Sequence, residues 1–170
     1  MPVRAGIGYD VHRTTKGRKL VLGGVRFEAN FGLDGHSDAD VLCHAIGDAL
    51  LGALALGDLG THFPPSDEKW KDASSIDLLK LIRSMIEGAG GRIVNVDATV
   101  ACEEPKLAPK RDAMIINIAQ ALKLGSKQVS VKATTNEGLG AIGKGEGIAA
   151  WAVASVEVAD VAYRPKGTGA

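Results

Sequence analysis

The segment 35–54 reads GHSDADVLCHAIGDALLGAL, and its apolar residues recur with the period of an α-helix. Val41, Leu42, Ala45, Ile46, Ala49, Leu50, Ala53 and Leu54 make one broad stripe, and Ser37 to Asp40 ahead of them has the S-x-x-D form of a capping box. Asp40, His44 and Asp48 fall at i, i+4 and i+8, a single polar stripe on an otherwise apolar helix. Solvent-facing helix surfaces usually carry Lys, Glu and Arg, and this helix has none. It is therefore expected to be covered on more than one side, with His44 and its flanking carboxylates in a semi-buried site.

Upstream, residues 3–13 alternate as a strand does. Ala5, Ile7, Tyr9 and Val11 point one way; Gly6, Gly8, Asp10 and His12 point the other, with the two glycines leaving room beside the polar pair. Two short strands, Lys19–Leu22 and Val25–Glu28, flank Gly23-Gly24 as a hairpin. Downstream, Gly57–Ala73 is polar and contains prolines, which predicts a long surface loop. A second capping box, Ser74 to Asp77, opens a helix that ends near Gly88. Ile93–Cys102 reads as a strand, Pro109 as the first residue of a third helix stopped by Gly125, and Val129–Thr134 and Ile148–Tyr163 as further strands. Strands and helices interleave without a repeat or a linker. One α+β domain over 1–163 follows, a mixed β-sheet covered by helices, with 164–170 as a flexible tail.

The bulk numbers agree with one ordinary globular domain: 170 residues, 45% hydrophobic, 24% charged. Twenty basic and twenty acidic residues cancel, so no nucleic-acid footprint and no membrane-surface charge is expected. No apolar run approaches the roughly 20 residues of a spanning helix, and the start resembles neither a signal nor a transit peptide. A cytoplasmic protein is expected, with Cys43 and Cys102 as reduced thiols.

Asp10, His12 and His44 together offer one carboxylate and two imidazoles. Three protein ligands with an open fourth position is the pattern of a catalytic zinc site. His36 just precedes the helix start, where free N–H groups favour anions such as phosphate. Residues 132–137 read KATTNE, followed by glycines at 138, 140, 143, 145 and 147. Hydroxyls, a carboxylate and small residues suit phosphates with a hard cation, although a plain turn would look the same.

At these same residues the chain closely resembles the 2-C-methyl-D-erythritol 2,4-cyclodiphosphate synthase family. The matching segments are GYDVH (8–12), GHSDADVLCHAIGDALLGA (35–53), LGDLGTHFP (56–64), NVDAT (95–99), PKL (105–107), VKATT (131–135) and GKGEGIA (143–149). They fall in the family's order and cover nearly all the chain except the tail.

The resemblance implies a homotrimer whose active sites are shared between neighbouring subunits. It implies a zinc ion on Asp10, His12 and His44, and a second cation, magnesium or manganese, on Glu137. The implied substrate is a cytidine diphosphate derivative of methylerythritol 2-phosphate, cyclised by metal-assisted intramolecular attack in the non-mevalonate isoprenoid pathway with release of CMP. His36-Ser37 and Thr134-Thr135 would line the phosphate path, with His36 and Thr135 placed to steady the transition state and Asn136 a further substrate-binding residue. Asp58, Leu59 and Gly60, with Phe63, Pro64, Pro65, Ser66 and Asp67, would meet the sugar and methylerythritol portions. Cytidine would lie along Cys102, Glu103, Glu104, Pro105, Lys106, Leu107 and Ala108, and Ala141 and Lys144 match two further binding positions. Three positions depart from the family's pattern: Pro65 stands where Asp is frequent, Lys144 where Arg is common, and Ala141 where Phe is usual. Two other readings of the same residues are a metal phosphohydrolase and a zinc-stabilised binding module without turnover.

Overall fold

The structure, a computed structural model, describes residues 1–159. β1 (Val3–Thr15) runs antiparallel to β7 (Gly147–Val158), with Asp10 opposite Ala150 and His12 opposite Ile148. β5 (Gly91–Ala101) pairs antiparallel with the other side of β7, and β6 (Val129–Thr134) lies parallel to β5. A two-residue strand, β4 (Gly32–Leu33), pairs with the end of β1 and completes a mixed sheet of order β4-β1-β7-β5-β6. β2 (Leu20–Leu22) and β3 (Val25–Phe27) form the separate hairpin expected around Gly23-Gly24.

Three long helices cover one face of the sheet. α1 (Val41–Ala53) lies on β1 and β7, α3 (Ser75–Gly88) packs between α1 and α4, and α4 (Arg111–Leu122) rests on β6. Short helices α2 (Leu59–His62) and α5 (Gly140–Gly143) sit in connections. α1 is buried nearly all round, as its lack of long charged side chains implied.

The helix-facing rows of β1 and β7 are made of small residues, Gly6 and Gly8 against Ala150, Ala152 and Ala154. A Cβ on Gly8 would stand 1.9 Å from the Ala45 carbonyl oxygen, and one on Gly6 2.0 Å from that of Ala49. The two glycines therefore do not leave open room beside Asp10 and His12; the backbone of α1 fills it. That close approach is what lets His44 reach β1. Gly8→Ala is expected to exceed the ordinary cost of overpacking, about 3 kcal/mol or more, because rigid backbone meets the new methyl. A thermal melt should show the midpoint lowered by roughly 10 °C, and an unchanged midpoint would contradict this packing.

Several boundaries differ from the sequence reading, each for a local reason. The first helix is capped by Asp40, whose side chain accepts from Cys43 N, and not by Ser37. Ala39 has φ of 55°, so the backbone before Asp40 is left-handed and no helical turn can start at Ser37. The stretch 57–73 is not featureless: it contains α2 and a 3-10 turn at Glu68–Trp70. α4 stops at Lys123, which takes the left-handed conformation itself (φ 54°), two residues before Gly125. The last strand is observed to Val158, and residues 160–170, including the tail, lie outside the described residues.

Among the described residues nothing covers the other face of the sheet, which is apolar. Ile7 is 73% exposed, and Val3, Tyr9, Val11, Trp151 and Val153 lie open beside it, with the Tyr9 and Trp151 rings 5.2 Å apart. Cys43 and Cys102 are free and buried. Among the described residues no helix is long and apolar enough to cross a membrane.

Candidate active site

The end of β1 and the second turn of α1 bring Asp10, His12 and His44 together, all partly buried. Asp10 Oδ2 lies 2.9 Å from His12 Nε2 and 3.0 Å from His44 Nδ1, and the two nitrogens are 3.2 Å apart. Ligands held about 2.0 Å from a tetrahedral ion stand about 3.3 Å from one another, so this triangle fits one face of such a site. The chemistry of the donors points the same way. His12 Nδ1 faces the Asp34 carbonyl oxygen, which only accepts, so the proton of a neutral ring belongs on Nδ1 and Nε2 presents its lone pair. A carboxylate oxygen and two ring nitrogens crowd one point that only a proton or a cation can occupy.

Burial disfavours the charged form of Asp10, but the two imidazoles beside it, His12 and His44, outweigh burial and hold the carboxyl well below the usual range. Burial likewise works against a charged His12, and its bond and attraction to Asp10 prevail, so its pKa is raised. A cation held here would compete with protons for the same lone pairs, which would couple its affinity to pH.

The polar stripe of α1 is divided. Only His44 faces the site. Asp40 is fully buried and accepts from the amides of Gly23 and Gly24 at 2.9 and 2.7 Å, tying the hairpin to the helix. Asp48 accepts from Leu59 N at 2.8 Å and anchors α2; its burial raises its pKa. The flanking carboxylates expected beside His44 thus have structural partners elsewhere.

The triad opens into a cavity of about 320 Å³ whose walls include His36, Ser37, Leu59, Gly60, Phe63 and Pro65. Trp70 and Leu78 close it from the 3-10 turn and α3, two positions the sequence reading did not place in the site. The edge-to-face contact of Trp70 with Phe63, centroids 4.9 Å apart, would be hard to foresee from spacing. Asp58 is exposed and caps α2 through Thr61. Pro64, Ser66 and Asp67 form the turn beyond Phe63, where the Asp67 carbonyl lies 3.3 Å from His36 Nε2.

A second cavity, about 360 Å³, lies at the ends of β5 and β6. Cys102, Glu103, Pro105, Lys106, Leu107 and Ala108 form one wall and Thr134, Thr135 and Glu137 the other; Arg111, which the sequence reading missed, completes it from the start of α4. Glu103 accepts from Asn136 N at 2.7 Å and ties the two walls together. Glu137 sits in left-handed backbone (φ 50°), a conformation costing on the order of 1 kcal/mol, and its carboxylate accepts from the Thr135 hydroxyl. Glu104 and Lys144 line a separate hollow with Thr14 and Phe31, and Ala141 is exposed on α5.

The two cavities are not one within a chain. Asp10 pairs with Ala150, Ala150 with Val100, and Val100 with Ala133, so three strand spacings, roughly 14 Å, separate them across the sheet.

Comparison with known proteins matches residues 3–157 to the YgbB family. A 2-C-methyl-D-erythritol 2,4-cyclodiphosphate synthase from Syntrophomonas wolfei is 57% identical over 157 residues, covering 92% of this chain and 100% of that protein. Among solved structures, the IspF CDP complex of Plasmodium falciparum aligns with a TM-score of 0.81 at 35% identity, over 93% of this chain and 97% of that one. The bifunctional IspDF of Campylobacter jejuni aligns at 0.89 with 41% identity; it covers 94% of this chain, which spans 43% of that longer one. With a family model spanning both cavities and a relative of equal extent sharing more than half its residues, the chain belongs to the YgbB family.

Proposed function

We propose that this chain converts 4-diphosphocytidyl-2-C-methyl-D-erythritol 2-phosphate to 2-C-methyl-D-erythritol 2,4-cyclodiphosphate and CMP, a phosphorus–oxygen lyase step of the non-mevalonate isoprenoid pathway. The convergence of Asp10, His12 and His44 on one point carries this reading. An oxygen of the 2-phosphate bonds to the β-phosphorus, the bond from that phosphorus to the bridging oxygen breaks, and CMP leaves with the electron pair. The chain supplies no covalent nucleophile; it folds a flexible polyanion so that attacker and target stand in line.

Asp10, His12 and His44 would hold zinc, and Glu137 a second divalent cation, magnesium or manganese; when bound, these ions polarise phosphate oxygens and offset charge developing at phosphorus. His36 and Thr135 would donate to phosphate oxygens as the ring closes, with Ser37 and Thr134 beside them. Asp58, Leu59, Gly60 and the 63–67 segment would meet the methylerythritol end and exclude water. The backbone of Cys102–Ala108 would receive cytidine, with Lys106 toward the phosphates.

A substrate that touches both cavities would have to reach across roughly 14 Å of sheet within one chain. A homotrimer resolves this if the nucleotide cavity of one subunit faces the metal cavity of the next. The uncovered apolar face around Ile7, Tyr9, Trp151 and Val153 is the surface such an assembly would bury.

Incubating purified protein with the substrate and analysing products tests the reading. A cyclic diphosphate plus CMP is expected; a linear phosphate would point to a hydrolase instead. Glu137→Gln is expected to lower kcat about 10²-fold, the effect of losing one electrostatic contact of ~3 kcal/mol at a transition state. It should also flatten the dependence on added magnesium, and an unchanged magnesium titration would contradict the assigned role.

A further inference from the structure

We propose that Ser75 and Asp38 are positioning residues of the metal centre, which together force His44 into the tautomer that can bind a cation. The inference rests on the metal reading above and adds residues outside the triad.

His44 binds through Nδ1, so its one ring proton must sit on Nε2. Nε2 lies 3.0 Å from the hydroxyl of Ser75, the first residue of α3, which is 1% exposed. That hydroxyl is also 2.5 Å from Asp38 Oδ1. A serine has a single proton to donate, and a carboxylate oxygen only accepts. The Ser75 proton therefore goes to Asp38, its lone pair is left facing His44, and Nε2 must be the donor. Asp38 is held in place in turn, since its Oδ2 accepts from Ser75 N at 2.9 Å and its Oδ1 from Asp40 N at 3.2 Å. Ser37 Oγ, 3.1 Å from the same Nε2, is a second hydroxyl at that nitrogen. Its own orientation is set less firmly, by a 3.3 Å bond from Ala39 N that occupies one lone pair.

The relay makes an ordering that packing alone would not. Ser75→Ala removes one acceptor but leaves Ser37, so the tautomer is loosened and not reversed. Asp38→Asn keeps the shape. Its oxygen can still accept from Ser75 N in the place of Oδ2. Its amide then takes the place of Oδ1, where it gives up the bond from Asp40 N but donates to Ser75 Oγ, turning the Ser75 proton toward His44 Nε2 and driving the ring proton onto Nδ1, where it blocks the cation. The milder-looking substitution should therefore do more harm.

The test measures zinc affinity on the purified assembly by competition with a chromophoric chelator, alongside thermal midpoints. Relative to the unmodified protein, zinc should bind about 10-fold more weakly to Ser75→Ala and about 100-fold more weakly to Asp38→Asn, the span typical of lost outer-shell partners. The Asp38→Asn midpoint, measured after zinc removal, should lie only about 2–4 °C below that of the equally stripped unmodified protein, the cost of losing the one bond from Asp40 N. Zinc affinity of Asp38→Asn within twofold of the unmodified protein would overturn the proposal, as would a greater loss in Ser75→Ala. Unmodified protein that takes up no zinc at all would instead overturn the metal reading beneath it.

Discussion

His44→Ala is expected to strip the triad of its cation and lower turnover by about 10³-fold or more, the several kcal/mol that a bound metal ion contributes at a phosphoryl centre. Two ligands remain, but a carboxylate and one imidazole do not complete a site that needs three protein donors. His44 is mostly buried, but it lies at the cavity wall and its ring is not part of the apolar core of α1, so the variant should stay folded. Metal analysis should find zinc falling from about one per chain to near zero, with the melting transition retained. Full activity in metal-stripped His44→Ala would remove the metal from the mechanism.

A second large effect should appear only in mixtures. Alone, His44→Ala lacks the metal half of the site and Glu137→Gln the nucleotide half. If each active site draws its halves from neighbouring subunits, a trimer containing both variants has some sites with both halves intact. Random mixing makes about one quarter of all sites complete, so coexpression should restore activity toward that level. Mixtures no more active than the separate variants would place both halves within one chain, against the roughly 14 Å of sheet between them.

Much of this was legible in the sequence because periodicity reports which side chains share a face. The alternation of residues 3–13 put Asp10 and His12 on one side of a strand, and the 3.6-residue period of 41–54 exposed His44 as the polar member of an apolar helix. It failed where the backbone breaks period. Asp40 looked like the first step of a stripe, but the left-handed Ala39 makes it a cap, and its carboxylate turns to Gly23 and Gly24 instead of the site. Gly6 and Gly8 looked like open space, since no sequence rule tells which backbone a glycine admits. Ser75 was invisible because it meets His44 across 31 residues of chain, through a helix whose start was assigned to Ser74. Ser74 makes no side-chain cap, and Asp38, from a distant loop, holds the Ser75 amide. Arg111 and Trp70 reach their cavities the same way, by tertiary approach of segments that carry no motif.

The reading as a whole depends on a cation at the meeting point of β1 and α1, and anomalous diffraction from crystals of the purified protein at the zinc edge locates one directly. A single strong peak is expected about 2.0–2.2 Å from Asp10 Oδ2, His12 Nε2 and His44 Nδ1. An empty triad in crystals grown with zinc, with any peak lying elsewhere, would contradict it.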